Sequence, residues 1–229
     1  MPRATPRDRL AAIAEAATSV FGRLGYRGTR TADVATQAGM SSGSIFNYVE
    51  SKEALFHLVF AYGFGRFAET LPPLPLATPA PGETVQLIEQ GLRSTPAPKL
   101  RAALKEKDPS DVEGEMRGIV EERYAVQERL WPMLAVIERC AVELPDLEGF
   151  YYRRARISYF EQLTRYLHAR ADKGYLRAMP DAAVAARVVS ETISWFAWHR
   201  HEGRDADLYD DDTARRTVVE FLCAALVPL

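Results

Sequence analysis

Ser42, Gly43, Ser44 and Asn47 fall within one short stretch and carry small hydrogen-bonding groups, or in the case of glycine no side chain at all. That chemistry suits the edges of nucleic-acid bases. A serine hydroxyl donates or accepts, and an asparagine carboxamide reads adenine through two bonds or meets a base through one. The glycine lets the backbone itself approach a duplex. Their setting, TRTADVATQAGMSSGSIFNYVESKE over residues 29–53, reads as two short helices joined by a turn at Gly39, then the capped start of a third. The first of these is expected from Thr31 to Ala38, with Thr31 as N-cap and Val34, Ala35 and Ala38 turned inward. The second is expected to start after Ser41 and to reach about Tyr48, with Ile45 and Tyr48 three apart. In a helix-turn-helix of this kind the second helix enters the major groove. Arg30, just ahead of the first helix, is a further candidate contact to backbone or base.

The elements that must hold this stretch are helical. Leu10, Ile13, Ala14, Ala17, Val20, Phe21 and Leu24 make one apolar face of a first helix, and Gly25 is its expected C-cap. Ser51 caps the next helix, which is expected to continue over 51–70 until Pro72 and Pro73 forbid extension. LPPLPLATPAPG, residues 71–82, is the clearest helix-breaking run. Beyond it, helices are expected at 83–94, 97–107, 112–143, 145–172, 181–202 and 211–227. Pro132 should kink or break the third of these. No β-strand is evident. The expected fold class is all-α, with an N-terminal three-helix helix-turn-helix domain at 1–53 and a larger helical body over 54–229, the connecting helix 51–70 joining them.

The chain has 229 residues, 47% hydrophobic and 26% charged, with a formal charge of -2, which bounds a globular protein of one large or two small domains. Residues 1–53 hold seven basic and five acidic side chains, whereas the remainder is acidic in excess. This asymmetry has the sign a DNA-binding end requires. Cys140 and Cys223 stand alone in apolar helical runs, so a disulfide scaffold and a zinc site are not expected, and a reduced, cytoplasmic protein is. The N-terminus lacks the apolar stretch of a signal peptide, and no apolar run reaches the roughly 18 residues of a membrane span.

The run FGRLGYRGTRTADVATQAGMSSGSIFNYVESKEALF resembles the DNA-binding domain of the TetR (tetracycline-repressor-like) family. The matching positions are Phe21, Gly25-Tyr26, Thr29, Thr31-x-Asp33-Val34-Ala35, Ala38-Gly39-Met40-Ser41, Gly43-Ser44-Ile45-Phe46-x-Tyr48 and Ser51-Lys52-Glu53-x-Leu55. The resemblance implies a phosphate contact at Thr31 and a phosphate clamp at Tyr48 and Lys52, which set register without reading sequence. The DNA contacts expected are thus Arg30, Thr31, Ser42, Gly43, Ser44, Asn47, Tyr48 and Lys52, with Arg3, Arg7 and Arg9 following neighbouring phosphates. Ser42, Phe46, Asn47 and Val49 depart from the commonest family residues, so no operator sequence transfers.

After about residue 65 the resemblance weakens. The C-terminal pair of helices, 181–202 and 211–227, is similar to the four-helix dimer interface of such regulators. Val188, Val189, Thr192, Trp195, Phe196 and His199 on one helix, and Val218, Val219, Leu222, Ala225 and Leu226 on the other, form broad apolar stripes. Charges at Val189 or Val219 are therefore expected to yield monomers. The resemblance further implies a small, mostly apolar effector held among Trp131, Met133, Ile137, Phe160, Trp195 and His199, with Arg139 or Glu191 as polar handles. The reading is a ligand-responsive repressor that binds double-stranded DNA as a homodimer, with no membrane partner, cofactor or metal. The alternatives are a helical interaction protein that keeps the fold without DNA, and an activator of the same family. An enzyme would need a nucleophile–base pair or a ligand set. His199-x-His201 with Asp205, Asp207 and Asp210–Asp212 is the nearest approach to one, but histidines two apart on a helix face different ways.

Overall fold

Thr5 and Asp8 start the first helix: the Thr5 hydroxyl accepts from the Asp8 amide at 3.2 Å, and the Asp8 carboxylate accepts from the Thr5 amide at 2.9 Å. With Pro6 at its first position, this capping box launches α1 (Pro6–Gly28). The computed structural model describes residues 5–94, 98–203 and 208–228. Arg3, Asp205 and Asp207 lie outside the described residues. Helices α2 (Thr31–Gln37), α3 (Lys52–Gly63), α4 (Glu83–Ser94), α5 (Pro98–Ala103), α6 (Val112–Ala141), α7 (Pro145–Phe150), α8 (Ile157–Asp172), α9 (Ala182–Ala197) and α10 (Asp211–Leu226) follow, with a 3₁₀ turn at Ser44–Asn47. The chain is all-α, as expected. Among the described residues, the only β-type pairing is an isolated bridge between Val49 and Leu76.

The chain groups into two compact units, Met1–Ser94 with Pro132–Tyr151, and Thr95–Trp131 with Tyr152–Leu229. Helix α6 contributes residues to both, and the division falls at Pro132, which sits inside the helix without ending it. In the first unit, Phe21, Phe56 and Phe60 form edge-on contacts at 5.1 and 5.2 Å beside fully buried Ile13, Val34, Ile45 and Leu55. Each buried phenyl contributes about 2–3 kcal/mol of transfer free energy. In the second unit, Tyr124, Tyr166, Leu163, Val189, Ile193, Val218, Val219 and Leu222 belong to one apolar core.

Three expectations change. The connecting helix ends at Gly63 rather than near residue 70, because Gly65 takes φ 71° and the Arg66 amide turns back to the Ala61 carbonyl at 2.9 Å. Gly25 interrupts the helix at φ 74° and ψ 179°, a conformation open to glycine, yet the chain resumes one more helical turn to Gly28. Val189 and Val219, read from sequence as interface residues, are each 3% exposed and lie in the protomer's own core.

Candidate nucleic-acid interface

The turn between the two short helices is built at Gly39, whose φ of 66° is open to glycine and costly for other residues. A Cβ there would meet nothing within 4 Å, so conformation rather than space selects glycine. Helix α2 is capped differently from expectation. Arg30 is the N-cap residue, and the Asp33 carboxylate reaches back to accept the Arg30 amide at 3.0 Å. Thr31 becomes the first helical residue, which leaves its hydroxyl uncommitted to capping. Thr29, almost fully buried, donates its hydroxyl to the Gly25 carbonyl at 2.7 Å and ties the motif to the end of α1.

The reading helix is shorter than expected, a single 3₁₀ turn over Ser44–Asn47. Ser41 and Ser44 share a hydroxyl–hydroxyl bond of 2.6 Å, and the Ser44 amide donates to the Ser41 carbonyl at 3.0 Å. After Asn47 the chain becomes extended enough for Val49 to pair with Leu76, which stops the helix there. Ile45 is the only fully buried side chain of the turn. Ser42, Gly43 and Asn47 are exposed, and Ser44 is half-buried. A Cβ on Gly43 would meet nothing within 4 Å, and its φ is -77°, so nothing within this chain calls for glycine. Phe46, not among the expected contacts, is 47% exposed beside Asn47. The signal available in the sequence was its place in the turn: with Ile45 inward, its neighbour must face out.

Lys52 begins α3, whose N-cap Ser51 accepts the Ala54 amide at 3.1 Å. The Lys52 ammonium lies 4.7 Å from the centre of the Tyr26 ring and donates to the Arg27 carbonyl at 3.4 Å. Tyr26 donates its hydroxyl to Glu53 at 3.0 Å, and burial together with Glu53 pushes the phenol above its usual range. The Arg27 amide donates to Glu143 at 2.6 Å, and a Cβ on Gly25 would lie 2.6 Å from the same carboxylate. Lys52 is therefore seated on the end of α1 and not free to wander. Tyr48 is half-buried. The Arg7 guanidinium donates to the Ala68 and Glu69 carbonyls at 2.6 and 3.3 Å.

The eight residues expected around an effector fall in both units. Met133, Ile137 and Arg139 are in the first, where Ile137 is fully buried and Arg139 exposed. Trp131, Phe160, Glu191, Trp195 and His199 are in the second. There Glu191 accepts from Arg156 at 2.6 Å and Arg187 at 2.8 Å, and both guanidiniums lie over the Phe160 ring, at 5.7 and 4.7 Å. Burial holds the His199 imidazole below its usual pKa, with Glu191 opposing and Arg156 assisting. Sequence reasoning missed the polar interior beside this group. Gln127 is 4% exposed, and with its amide oxygen turned to Arg123 it accepts both Nε and Nη2 at 3.1 Å. The Ser190 hydroxyl and Trp198 Nε1 are buried without a hydrogen-bond partner. His199 meets Trp198 edge-on at 4.3 Å whereas His201 stacks on Trp131 at 5.1 Å, and no group of three metal-ligating side chains occurs among the described residues.

A two-helix reading head with exposed hydrogen-bonding groups, joined to a second helical unit, defines the class of helix-turn-helix regulators. Residues 13–59 match the family described as bacterial regulatory proteins, tetR family. No match was found among curated proteins. Among solved structures, the chain is similar to the TetR family transcriptional regulator PfmR from Thermus thermophilus (20% identity, 99% of this chain and 100% of that one, TM-score 0.55). It is also similar to AibR in complex with isovaleryl coenzyme A and operator DNA (18% identity, 95% and 99%, TM-score 0.54). A TetR-like transcriptional regulator from Rhodococcus sp. RHA1 shares 17% identity over 98% of this chain and 96% of that one, with a TM-score of 0.51. At these identities the likeness is one of fold.

Proposed function

We propose that this protein is a ligand-responsive repressor that binds a palindromic operator as a homodimer, acts in the cytoplasm and performs no catalysis. The observation that carries this reading is the exposed turn Ser42–Asn47, followed at once by Tyr48 and a Lys52 seated on the end of α1. In this reading residues 1–53 contact DNA and 54–229 hold the effector and the dimer contact. Ser42, Ser44 and Asn47 face base edges, Phe46 offers its ring to a thymine methyl, and Gly43 lets the backbone close on the duplex. Arg30, Thr31, Tyr48 and Lys52 hold phosphates. One such turn reads few bases. A dimer places two about 35 Å apart, on successive major grooves.

The effector is a small, mostly apolar molecule. Its polar anchors are drawn from Arg123, Gln127, Ser190, Arg156, Glu191 and His199 in the second unit. Binding that favours one arrangement of the reading heads shifts the population and changes operator affinity by the differential affinity for the two states. That AibR was captured with both isovaleryl coenzyme A and operator DNA supports a ligand and DNA sharing this fold.

Two variants test the interface. Lys52→Ala removes one phosphate contact per protomer, so the slope of log K against log salt should flatten by about 1.8 for a dimer. Titrations at several salt concentrations that return the wild-type slope would remove Lys52 from the clamp. Asn47→Ala should alter the preferred site as well as the affinity, at a cost of about 1–3 kcal/mol per base pair read. Selection from a random DNA pool measures this, and recovery of the unchanged site would show that Asn47 reads no base.

A further inference from the structure

The Pro-rich run 71–82 does not hang as a linker. It returns to the reading head. The Leu76 amide donates to the Tyr48 carbonyl at 2.8 Å, and the Glu50 amide donates to the Leu76 carbonyl at 3.0 Å, the pattern of a one-residue parallel bridge centred on Val49. Two residues on, the Thr78 amide donates to the Glu50 carboxylate at 3.0 Å and the Thr78 hydroxyl to the Ser51 hydroxyl at 2.7 Å. Ser51 is itself the N-cap of α3. Leu76 is 8% exposed and Val49 fully buried, so the contact has an apolar anchor as well as polar ones. All of it lies within the first unit.

The sequence prepares this segment for the task. Pro72, Pro73, Pro75, Pro79 and Pro81 forbid helix and favour extended backbone, so little further conformational entropy is lost on docking. The residues gripped, Tyr48 to Ser51, are those that join the base-reading turn to Lys52. We propose that residues 76–78 are a strap that belongs to the DNA-reading apparatus: Leu76 and Thr78 are positioning residues that fix the distance between the turn Ser44–Asn47 and the Tyr48–Lys52 clamp. The strap lies in the connecting region, beyond the matched segment 13–59. The inference rests on the DNA-binding reading above.

Its signature is selective. Non-specific affinity follows the number of phosphates neutralised, which the strap does not change. Specific affinity needs the reading turn and the clamp in one fixed geometry. Glu50→Ala removes the acceptor for Thr78, whereas Glu50→Gln keeps an acceptor oxygen; both lose the same negative charge, so any electrostatic gain toward DNA is common to the two. Thr78→Val removes the hydroxyl bond to Ser51, and Thr78→Ser restores it. Dissociation constants are measured for the selected operator and for an unrelated duplex at one salt concentration. Amide hydrogen exchange at Leu76 reports whether the strap is docked.

Glu50→Ala and Thr78→Val should each lower the ratio of specific to non-specific affinity about tenfold, an effect of the size of one lost hydrogen bond per protomer. Leu76 exchange should quicken in both. Glu50→Gln and Thr78→Ser should stay within about twofold of wild type by the same scale. A wild type that selects a site, with Glu50→Ala and Glu50→Gln equal in that ratio, overturns the strap alone. A wild type that selects no site overturns the regulator reading itself.

Discussion

Arg170→Ala should destabilise the second unit by about 3–5 kcal/mol, the cost of stranding one partner of a buried ion pair. The Arg170 side chain is 4% exposed and that of Glu115 14%. Arg170 Nε and Nη2 meet the two Glu115 oxygens at 2.8 and 2.9 Å, a bidentate pair. Nη2 also donates to the Ala103 and Glu106 carbonyls at 2.8 and 2.9 Å, which satisfies backbone acceptors left open at the end of α5. The guanidinium further lies 5.4 Å from the Tyr166 ring centre. Alanine would leave a buried carboxylate and two carbonyls without this donor. Arg170→Lys should recover only part, since an ammonium cannot match the fork. Arg170→Met with Glu115→Leu should recover most of the loss, because no charge is then left stranded. Denaturant unfolding checks each, with hydrogen exchange in α8 assigning the transition to this unit. A loss below about 1 kcal/mol for Arg170→Ala would class the pair with surface ion pairs and refute the argument.

The helices were legible where local chemistry decides them. Glu83–Ser94 starts and stops where the sequence places it, and Asp181 and Asp210 cap α9 and α10 through their side chains, to the Val184 and Thr213 amides. Pro145 opens a run that stays helical in three segments to Asp172, passing through a π-helical stretch at Tyr151–Arg156. What escaped was set by partners far along the chain. Arg170 reads as one more basic residue of an amphipathic helix until Glu115 is brought to it. Leu76 reads as part of a breaker until it meets Val49. The early end of α3 turns on Gly65 adopting a left-handed conformation, which composition permits but does not require. At the turn Ser44–Asn47, the family resemblance named the candidate contacts, and the solvent-facing side of the turn adds Phe46 as a further candidate. In the second unit, periodicity found bulky side chains but not the buried amide of Gln127, since an amide enters an interior only where its partners are already placed.

The stripe on α9 shows the same limit and leads to the second large effect. Periodicity marks Val188 and Val189 alike, yet Val188 is 55% exposed and Val189 3%. The exposed set is Val184, Val188 and Trp195 on α9 and Phe221 on α10, at 62%, 55%, 42% and 66%. With Glu191, the α9 residues recur at alternating four- and three-residue intervals, the seam spacing of helices that pair side by side. A chain that leaves such a seam in water has it covered by a second copy if it reads a palindrome. Val188→Glu with Phe221→Glu should therefore give a folded monomer by ultracentrifugation, with α9 exchange protection retained. Operator affinity should fall by about 10²–10⁴-fold, the advantage of linking two reading heads, while affinity for an isolated half-site stays unchanged. Val189→Glu should behave otherwise. It buries a carboxylate in the protomer core, so loss of folding would precede any change of assembly. A double variant that remains dimeric would place the contact on another face. If Val189→Glu gave a folded monomer, the residue would not be core but interface.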